Sequence, residues 1–259
     1  MARLKLTVEY DGTDYVGWQR QLNGTSVQEV LEEALGELFG AKVATEAAGR
    51  TDAGVHALGQ VVAFEAPREL PSSAYLRGLS ALLPEDVAVV AAEEVPADFD
   101  PRRWSSGKRY RYLISNRPVR SPLRRRTHWQ LFAPLDVPAM KAAAPALLGT
   151  HDFSAFRAAN CEALTPRRTL RELSIEASGD VVQFELEGTA FLKHMVRNVV
   201  GTLVEVGRGR QSVAWVKEVL DSRDRTLAGP TAPAQGLVLL EVRYDEERAV
   251  RAPGRPVSP

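Results

Sequence analysis

Leu4, Leu6, Val8 and Tyr10 alternate with Lys5, Thr7 and Glu9, a period of two that predicts a strand with one buried face. A glycine-punctuated loop follows from Asp11 to Gln21 and carries Tyr15, Trp18, Gln19 and Arg20. Ser26-Val-Gln-Glu29 has the form of a capping box, and Val27, Val30, Leu31, Leu35 and Leu38 recur at helical spacing until Gly40. Strands are expected near Lys42 to Glu46 and from Gln60 to Ala66. A helix is expected from about Ser72 to Leu83, stopped by Pro84, and then a strand over Asp86 to Ala92. The order is β-α-β-β-α-β, the ferredoxin-like arrangement.

The same order recurs. Lys108 to Ser115 alternates as a strand, and Asp136 to Leu148 is an Ala-rich helix that Pro145 should kink or shorten. Thr169 to Ala177 and Val181 to Glu187 pair as a hairpin through Ser178-Gly179-Asp180. Helices at about Ala190 to Val206 and Val213 to Ser222 precede a closing strand, Leu237 to Tyr244. The expected fold class is therefore α+β: two ferredoxin-like halves forming a mostly antiparallel central sheet with helices on one side. The halves are placed at residues 1–100 and 101–245, followed by an Arg- and Pro-rich tail over 246–259 that is either poorly ordered or braces a dimer contact.

Composition narrows the class. A chain of 259 residues has ample apolar material for such a core. Its single cysteine, Cys161, excludes an intramolecular disulfide and suits a reducing cytosol. Nothing resembles a signal peptide or a bilayer-spanning run, so a soluble cytoplasmic protein without a membrane partner is expected. The formal net charge of zero conceals segregation: residues 101–126 hold ten Lys or Arg and no Asp or Glu. Arginine dominates, and its planar fork suits phosphates and stacks on bases. This run reads either as a solvated basic face or, given Trp104, Tyr110, Tyr112 and Trp129 woven through and beyond it, as a nucleic-acid surface.

The densest polar chemistry of the first half is Gly49-Arg-Thr-Asp-Ala-Gly-Val-His-Ala57. Thr51-Asp52 alone is ordinary turn chemistry. However, the second half joins its equivalent strands by a tight turn, whereas the first uses the whole of Ala48 to Gly59, and a long polar loop in that place points to function. Tyr110 shares a strand face with Lys108 and Tyr112; a tyrosine there is usually core, or else a platform for a base. Arg197 and Asn198 interrupt an apolar helix, so Arg197 needs an anionic partner, either structural or a carboxylate that it orients.

Several motifs together carry a resemblance. They are Glu9-Tyr-Asp-Gly-Thr-x-Tyr-x-Gly-Trp-Gln-Arg-Gln21, the Asp52 nonapeptide, Lys108-Arg-Tyr-Arg-Tyr112, His151-Asp-Phe-Ser-x-Phe-Arg157, His194-Met-Val-Arg-Asn-Val-Val-Gly201 and Ala232-Pro-Ala-x-Gly-Leu237. Over nearly its whole length the chain resembles the TruA family of tRNA pseudouridine synthases. The resemblance implies an isomerase that needs no cofactor and no metal and acts on uridines 38, 39 and 40 of the tRNA anticodon stem-loop. By the same resemblance Asp52 is the catalytic nucleophile, Arg197 pairs with it, and Arg50 displaces the target nucleotide. Tyr110 packs against the target base. The expected substrate-binding set comprises Tyr110, Lys108, Trp18, Gln19, Arg20, His56, Arg124, Arg125 and Arg126. Homodimers that hold tRNA, with a basic cleft between the duplicated halves, are implied as well.

Two other classes compete. A non-catalytic RNA-binding module accounts for the basic run but gives no reason for the long Asp52 loop. A metal-dependent hydrolase would use Asp52 and His56 with His128, His151 or His194, yet these fall in no ligand spacing and no carboxylate cluster accompanies them.

Overall fold

A computed structural model describes residues 2–71 and 73–245 of the chain. The expected tail, 246–259, lies outside the described residues. The backbone groups into two compact units, the first of residues 2–106 with 239–245 and the second of residues 107–238.

In the first unit, β1 (Arg3–Tyr10) buries Leu4, Leu6, Val8 and Tyr10, the face its alternation predicts. Helix α1 (Val27–Phe39) starts at Ser26, whose hydroxyl accepts the Glu29 amide hydrogen at 3.2 Å, and stops at Gly40 in the left-handed region at φ 65°. Strand β2 is only Glu46–Ala47, shorter than and shifted from the expected Lys42 to Glu46. The cause is local: Glu32 of α1 accepts both the amide and the hydroxyl hydrogen of Thr45 at 2.9 Å, and Gln28 donates to the Thr45 carbonyl at 3.3 Å. Helix side chains thus satisfy backbone groups that a ladder would otherwise use. Strand β3 (His56–Glu65) pairs antiparallel with β1, Leu6 opposite Val62. The expected second helix is a π turn, Ala74–Gly78, running into the short α2 (Leu79–Leu82); the proposed start, Ser72, is outside the described residues. Strand β4 (Val87–Val95) pairs antiparallel with the other edge of β1. The strand order is β4-β1-β3, with β2 on β3.

In the second unit, β5 (Ser105–Asn116) pairs antiparallel with the later strand β9, and the short β6 (Trp129–Leu131) runs parallel to its far end. Helix α3 (Val137–Ala143) tightens into a 3-10 turn at Ala144–Leu147, where Pro145 brings no amide hydrogen. Strands β7 (Gly149–Asp152), β8 (Arg167–Ser178) and β9 (Val181–Gly188) complete an antiparallel run. Helix α4 (Met195–Gly207) begins five residues later than the expected Ala190. The preceding segment is held irregular: the Lys193 carbonyl accepts from the Ala158 amide at 2.9 Å, and His194 sits at φ 63°. Arg197 consequently lies in the first turn of α4 rather than mid-helix. Helix α5 (Trp215–Ser222) follows. Strand β10 (Leu237–Tyr244), whose residues from Leu239 onward belong to the first unit, lies beside β3 there. At Gly59 of β3 a Cβ would stand 2.5 Å from the Leu240 carbonyl oxygen, so only glycine permits this approach. Each unit is thus an α+β body on a mostly antiparallel sheet. No described helix is long and apolar enough to cross a membrane.

Candidate active site

The Asp52 loop is fastened at several points. At its entry, the fully buried Gln60 donates to the Gly49 carbonyl at 2.9 Å, and the Ala48 amide donates to Val61 at 2.9 Å. Thr51 is buried and shares a 2.8 Å hydrogen bond with the hydroxyl of Tyr10, at the end of β1. The loop from Asp11 to Gln21 clasps the other side. Gly17 forms an isolated bridge to Asp52, the Trp18 amide donates to Thr51 at 3.1 Å, and the Gly54 amide donates to Tyr15 at 3.3 Å. The turn closes through the Val55 amide on the Asp52 carbonyl at 3.1 Å, with Gly54 at φ 74°. Thr51 and Val55 are buried, Asp52 is half-buried, and Arg50 and Ala53 are exposed. A carboxylate-bearing residue is thus held on a rigid backbone while only partly withdrawn from water.

Two residues expected to meet substrate here, Trp18 and His56, are buried. Trp18 is 2 % exposed, its ring 6.0 Å from that of Tyr10, so the indole anchors the clasp and presents no face for a base to stack on. His56 is buried too; its Nδ1 accepts the Gly12 amide hydrogen at 3.1 Å, with Asp11 Oδ1 3.0 Å away. Gln19 and Arg20 are exposed, as a binding lip requires, but the Arg20 guanidinium already lies within 3.8 Å of Glu29 and 3.7 Å of Glu32. Among the described residues no three His, Cys, Asp or Glu side chains are grouped to hold a metal ion.

In the second unit, Tyr110 of β5 is 9 % exposed and meets Phe191 edge-to-face at 5.1 Å. Tyr112, one step along the same face, is fully buried; its hydroxyl donates to the Pro233 carbonyl at 2.7 Å. Burial pushes the Tyr112 phenol far up, and the nearby Arg197 charge offsets only part of that, so this tyrosine stays a neutral donor. Arg197 is half-buried and its Nε donates to the Ala232 carbonyl at 2.7 Å, while the Ala232 amide donates back to the Arg197 carbonyl at 3.1 Å. The guanidinium is therefore clamped by the segment leading into β10. Sequence reading missed the supporting shell: buried Asn198 donates to Phe156 at 2.8 Å and accepts from Thr231 at 2.7 Å and Arg225 at 3.1 Å. The Arg197-Asn198 pair inside an apolar helix was its one legible signal. Gly201 shows how close this packing is, since a Cβ there would lie 1.7 Å from the Pro230 carbonyl oxygen.

The basic run is less basic in space than along the chain. Both Arg109 and Arg111 bond to Glu185 across the β5–β9 pair, Arg111 Nε at 2.9 Å. Burial alone pushes the Glu185 carboxyl up, but the bonds and charges of Arg111 and Arg109 together outweigh it and hold the group below the ordinary carboxylate range. Arg124 donates to Asp180 at 2.6 Å, with Arg117 on the same carboxylate at 3.3 Å. The carboxylates come from the β8–β9 hairpin, 56 to 76 positions away, which is why a count along residues 101–126 overstated the local charge. Arg125 and Arg126 are exposed. The interleaved aromatics also have packing roles: Trp104 meets Phe99 at 5.3 Å, and Trp129 meets Tyr112 at 6.3 Å.

Comparison with known proteins then fixes the family. The model of the tRNA pseudouridine synthase family matches residues 6–102 and 143–245, which include Asp52 and Arg197. The chain is 65 % identical over 255 residues to tRNA pseudouridine synthase A of Myxococcus xanthus, covering 98 % of this chain and 96 % of that one. It is 52 % identical to the protein of the same name from Acidiphilium cryptum, over 95 % of this chain and 97 % of that one. The corresponding figures for Pelobacter propionicus are 49 % identity, 94 % and 100 %. With the matches spanning both compact units, the chain belongs to the tRNA pseudouridine synthase family.

Proposed function

We propose that this chain isomerises uridine to pseudouridine at positions 38, 39 and 40 of the tRNA anticodon stem-loop, using Asp52 as its nucleophile and no cofactor. The observation that carries this reading is the Asp52 loop itself, in which hydrogen bonds from β1, β3 and the 11–21 loop fix the flanking backbone around a half-buried carboxylate. The reaction breaks the C1′–N1 bond, turns the uracil, forms C1′–C5 and releases the C5 proton while N1 gains one. It is redox-neutral and consumes no water. An ionised aspartate can begin it by attacking C1′, by attacking C6 or by removing the C2′ proton; all three demand a charged carboxylate beneath the base.

Arg197 is the partner that keeps Asp52 charged as a bound base excludes water. In support, its Nε is tied to the Ala232 carbonyl at 2.7 Å, which fixes the orientation of the guanidinium. The reading also assigns Tyr110 to the target nucleotide. Tyr110 then supplies the surface on which an unstacked uracil rests, offsetting part of the cost of flipping it, and Arg50, exposed beside Asp52, helps displace it. Lys108, Gln19, Arg20, Arg124, Arg125 and Arg126 contact the RNA, and two copies of the chain hold the tRNA.

Mapping pseudouridine in unmodified tRNA after incubation with the purified protein tests this. The expected result is modification confined to positions 38–40; modification elsewhere, or none, contradicts it.

A further inference from the structure

The second unit contains a cavity of about 420 Å³ that Arg124 and Arg125, assigned above to the RNA, share with residues given no role there. Its lining includes Ser115, Arg120, Arg124, Arg125, His128 and Gln130, three arginines without one carboxylate. Ser115 follows Tyr110 by five residues on β5, which at about 3.3 Å per residue is about 17 Å, and strand alternation turns it to the opposite face. The cavity is therefore separate from the surface assigned to the target base.

Three features give it the character of a built site. Ser115 is 1 % exposed, and its hydroxyl has no hydrogen-bond partner, an arrangement that costs free energy unless something else fills it. Gln130 spends its amide hydrogens on the carbonyls of Arg117, at 3.0 Å, and Leu131, at 3.4 Å, so Oε1 is the acceptor that remains. The arginines are arranged by the 3-10 turn Pro122–Arg124: Arg124 is braced by Asp180, and Arg125 donates to the Pro122 carbonyl at 3.0 Å. Arg120 and Arg125 are exposed, and neither lies within ion-pair distance of a described carboxylate. The volume exceeds what a bare phosphate needs and falls in the usual range for small-molecule sites, about 300–1,000 Å³.

We propose that this cavity binds the phosphate ester of a nucleotide, with Arg120 and Arg125 on the phosphate and Ser115 and Gln130 on the attached nucleoside. Guanidinium forks supply the charge-assisted bonds that phosphate oxygens take. A hydroxyl paired with an amide oxygen offers the neutral donor and acceptor that a base edge or ribose takes. This rests on the chain being an RNA-modifying enzyme only for the source of the ester: a nucleotide of the tRNA strand and a mononucleotide share the chemistry.

The test uses the full chain, with the variants Arg120→Gln/Arg125→Gln and Ser115→Ala. Affinity for tRNA is measured between 50 and 200 mM salt, and UMP is compared with uridine by calorimetry. For an ester within tRNA, the double variant should weaken tRNA binding at least tenfold and make the slope of log K against log salt shallower by about 0.7, the value for one single-strand phosphate contact. Ser115→Ala should weaken binding severalfold with the slope unaltered and the melting temperature unchanged or raised, since it removes an unpartnered buried hydroxyl. For a free nucleotide, wild-type protein should bind UMP at least tenfold more tightly than uridine, both variants should lose that preference, and tRNA affinity should not move in Ser115→Ala. Wild-type tRNA affinity and slope in both variants, with UMP bound no better than uridine, overturns the proposal. That failure would leave pseudouridine formation by the wild-type protein intact, whereas failure of the isomerase reading appears as no pseudouridine at all.

Discussion

Gly17 and Asp52 face each other across an isolated antiparallel bridge, and the φ of Gly17 is 110°. A Cβ at Gly17 would stand 2.7 Å from the Thr51 carbonyl oxygen, the acceptor for the Trp18 amide. The backbone that carries the carboxylate is thus registered by a residue with no side chain. Gly17→Ala should displace Asp52 by a fraction of an ångström to an ångström, and displacements of that size cost about 100-fold in rate. Release of tritium from 5-tritiated uridine in tRNA measures it. Turnover within twofold of wild type would show that the bridge does not position the aspartate.

The Tyr10–Thr51 hydroxyl pair makes a second demand on the same loop. Both groups are buried and 2.8 Å apart. Tyr10→Phe removes the partner of the Thr51 hydroxyl and should cost about 1–3 kcal/mol, and Thr51→Val should cost less, since the Gln60 side chain also bonds the Tyr10 hydroxyl. The double variant should be more stable than the two losses summed, by about 1 kcal/mol in a denaturation cycle. Strict additivity would deny the pairing.

Arg197→Ala should lower melting temperature because it vacates the clamp to Ala232, and should lower turnover if Arg197 has the role proposed for it. Arg197→Lys keeps the charge but not the fork, and should recover more stability than turnover. Unchanged melting and unchanged turnover in Arg197→Ala would remove the residue from the site.

Glu185 predicts a pH dependence of stability. Its carboxyl is held below the ordinary value of 4.5 in the folded chain, so its contribution is complete above that value and disappears as pH falls through the depressed one. Glu185→Gln should cost about 1–3 kcal/mol near neutral pH, since it weakens the bonds to Arg109 and Arg111. The gap between variant and wild type should shrink below about pH 4. A gap that is constant from pH 7 to pH 3 would assign the stabilisation to packing.

What could be read from the sequence was what local patterning encodes. Strand β1 and the Ser26 cap follow from alternation and capping chemistry. Strand β2 did not, because Glu32 reaches from α1 to take the hydrogens of Thr45, a contact thirteen positions apart that no short window contains. The late start of α4 escaped for a similar reason, as the Ala158–Lys193 hydrogen bond holds the preceding segment out of the helix. In the candidate site the Asp52 loop stood out by its length and composition. Trp18 and His56 read as binding residues because aromatic and polar types in a glycine-rich loop serve either purpose, and their burial depends on contacts no short window contains. The basic run misled by position, its carboxylates being supplied by the distant hairpin at Asp180 and Glu185.

The central claim is that one aspartate carries the reaction, and Asp52→Asn tests it most directly. The substitution keeps the side chain's shape and leaves the backbone bonds of the loop in place, so the variant should melt with wild type and bind tRNA with wild-type affinity. Its release of tritium from 5-tritiated uridine should fall to background. Tritium release near the wild-type rate by the folded, tRNA-bound variant would contradict the account.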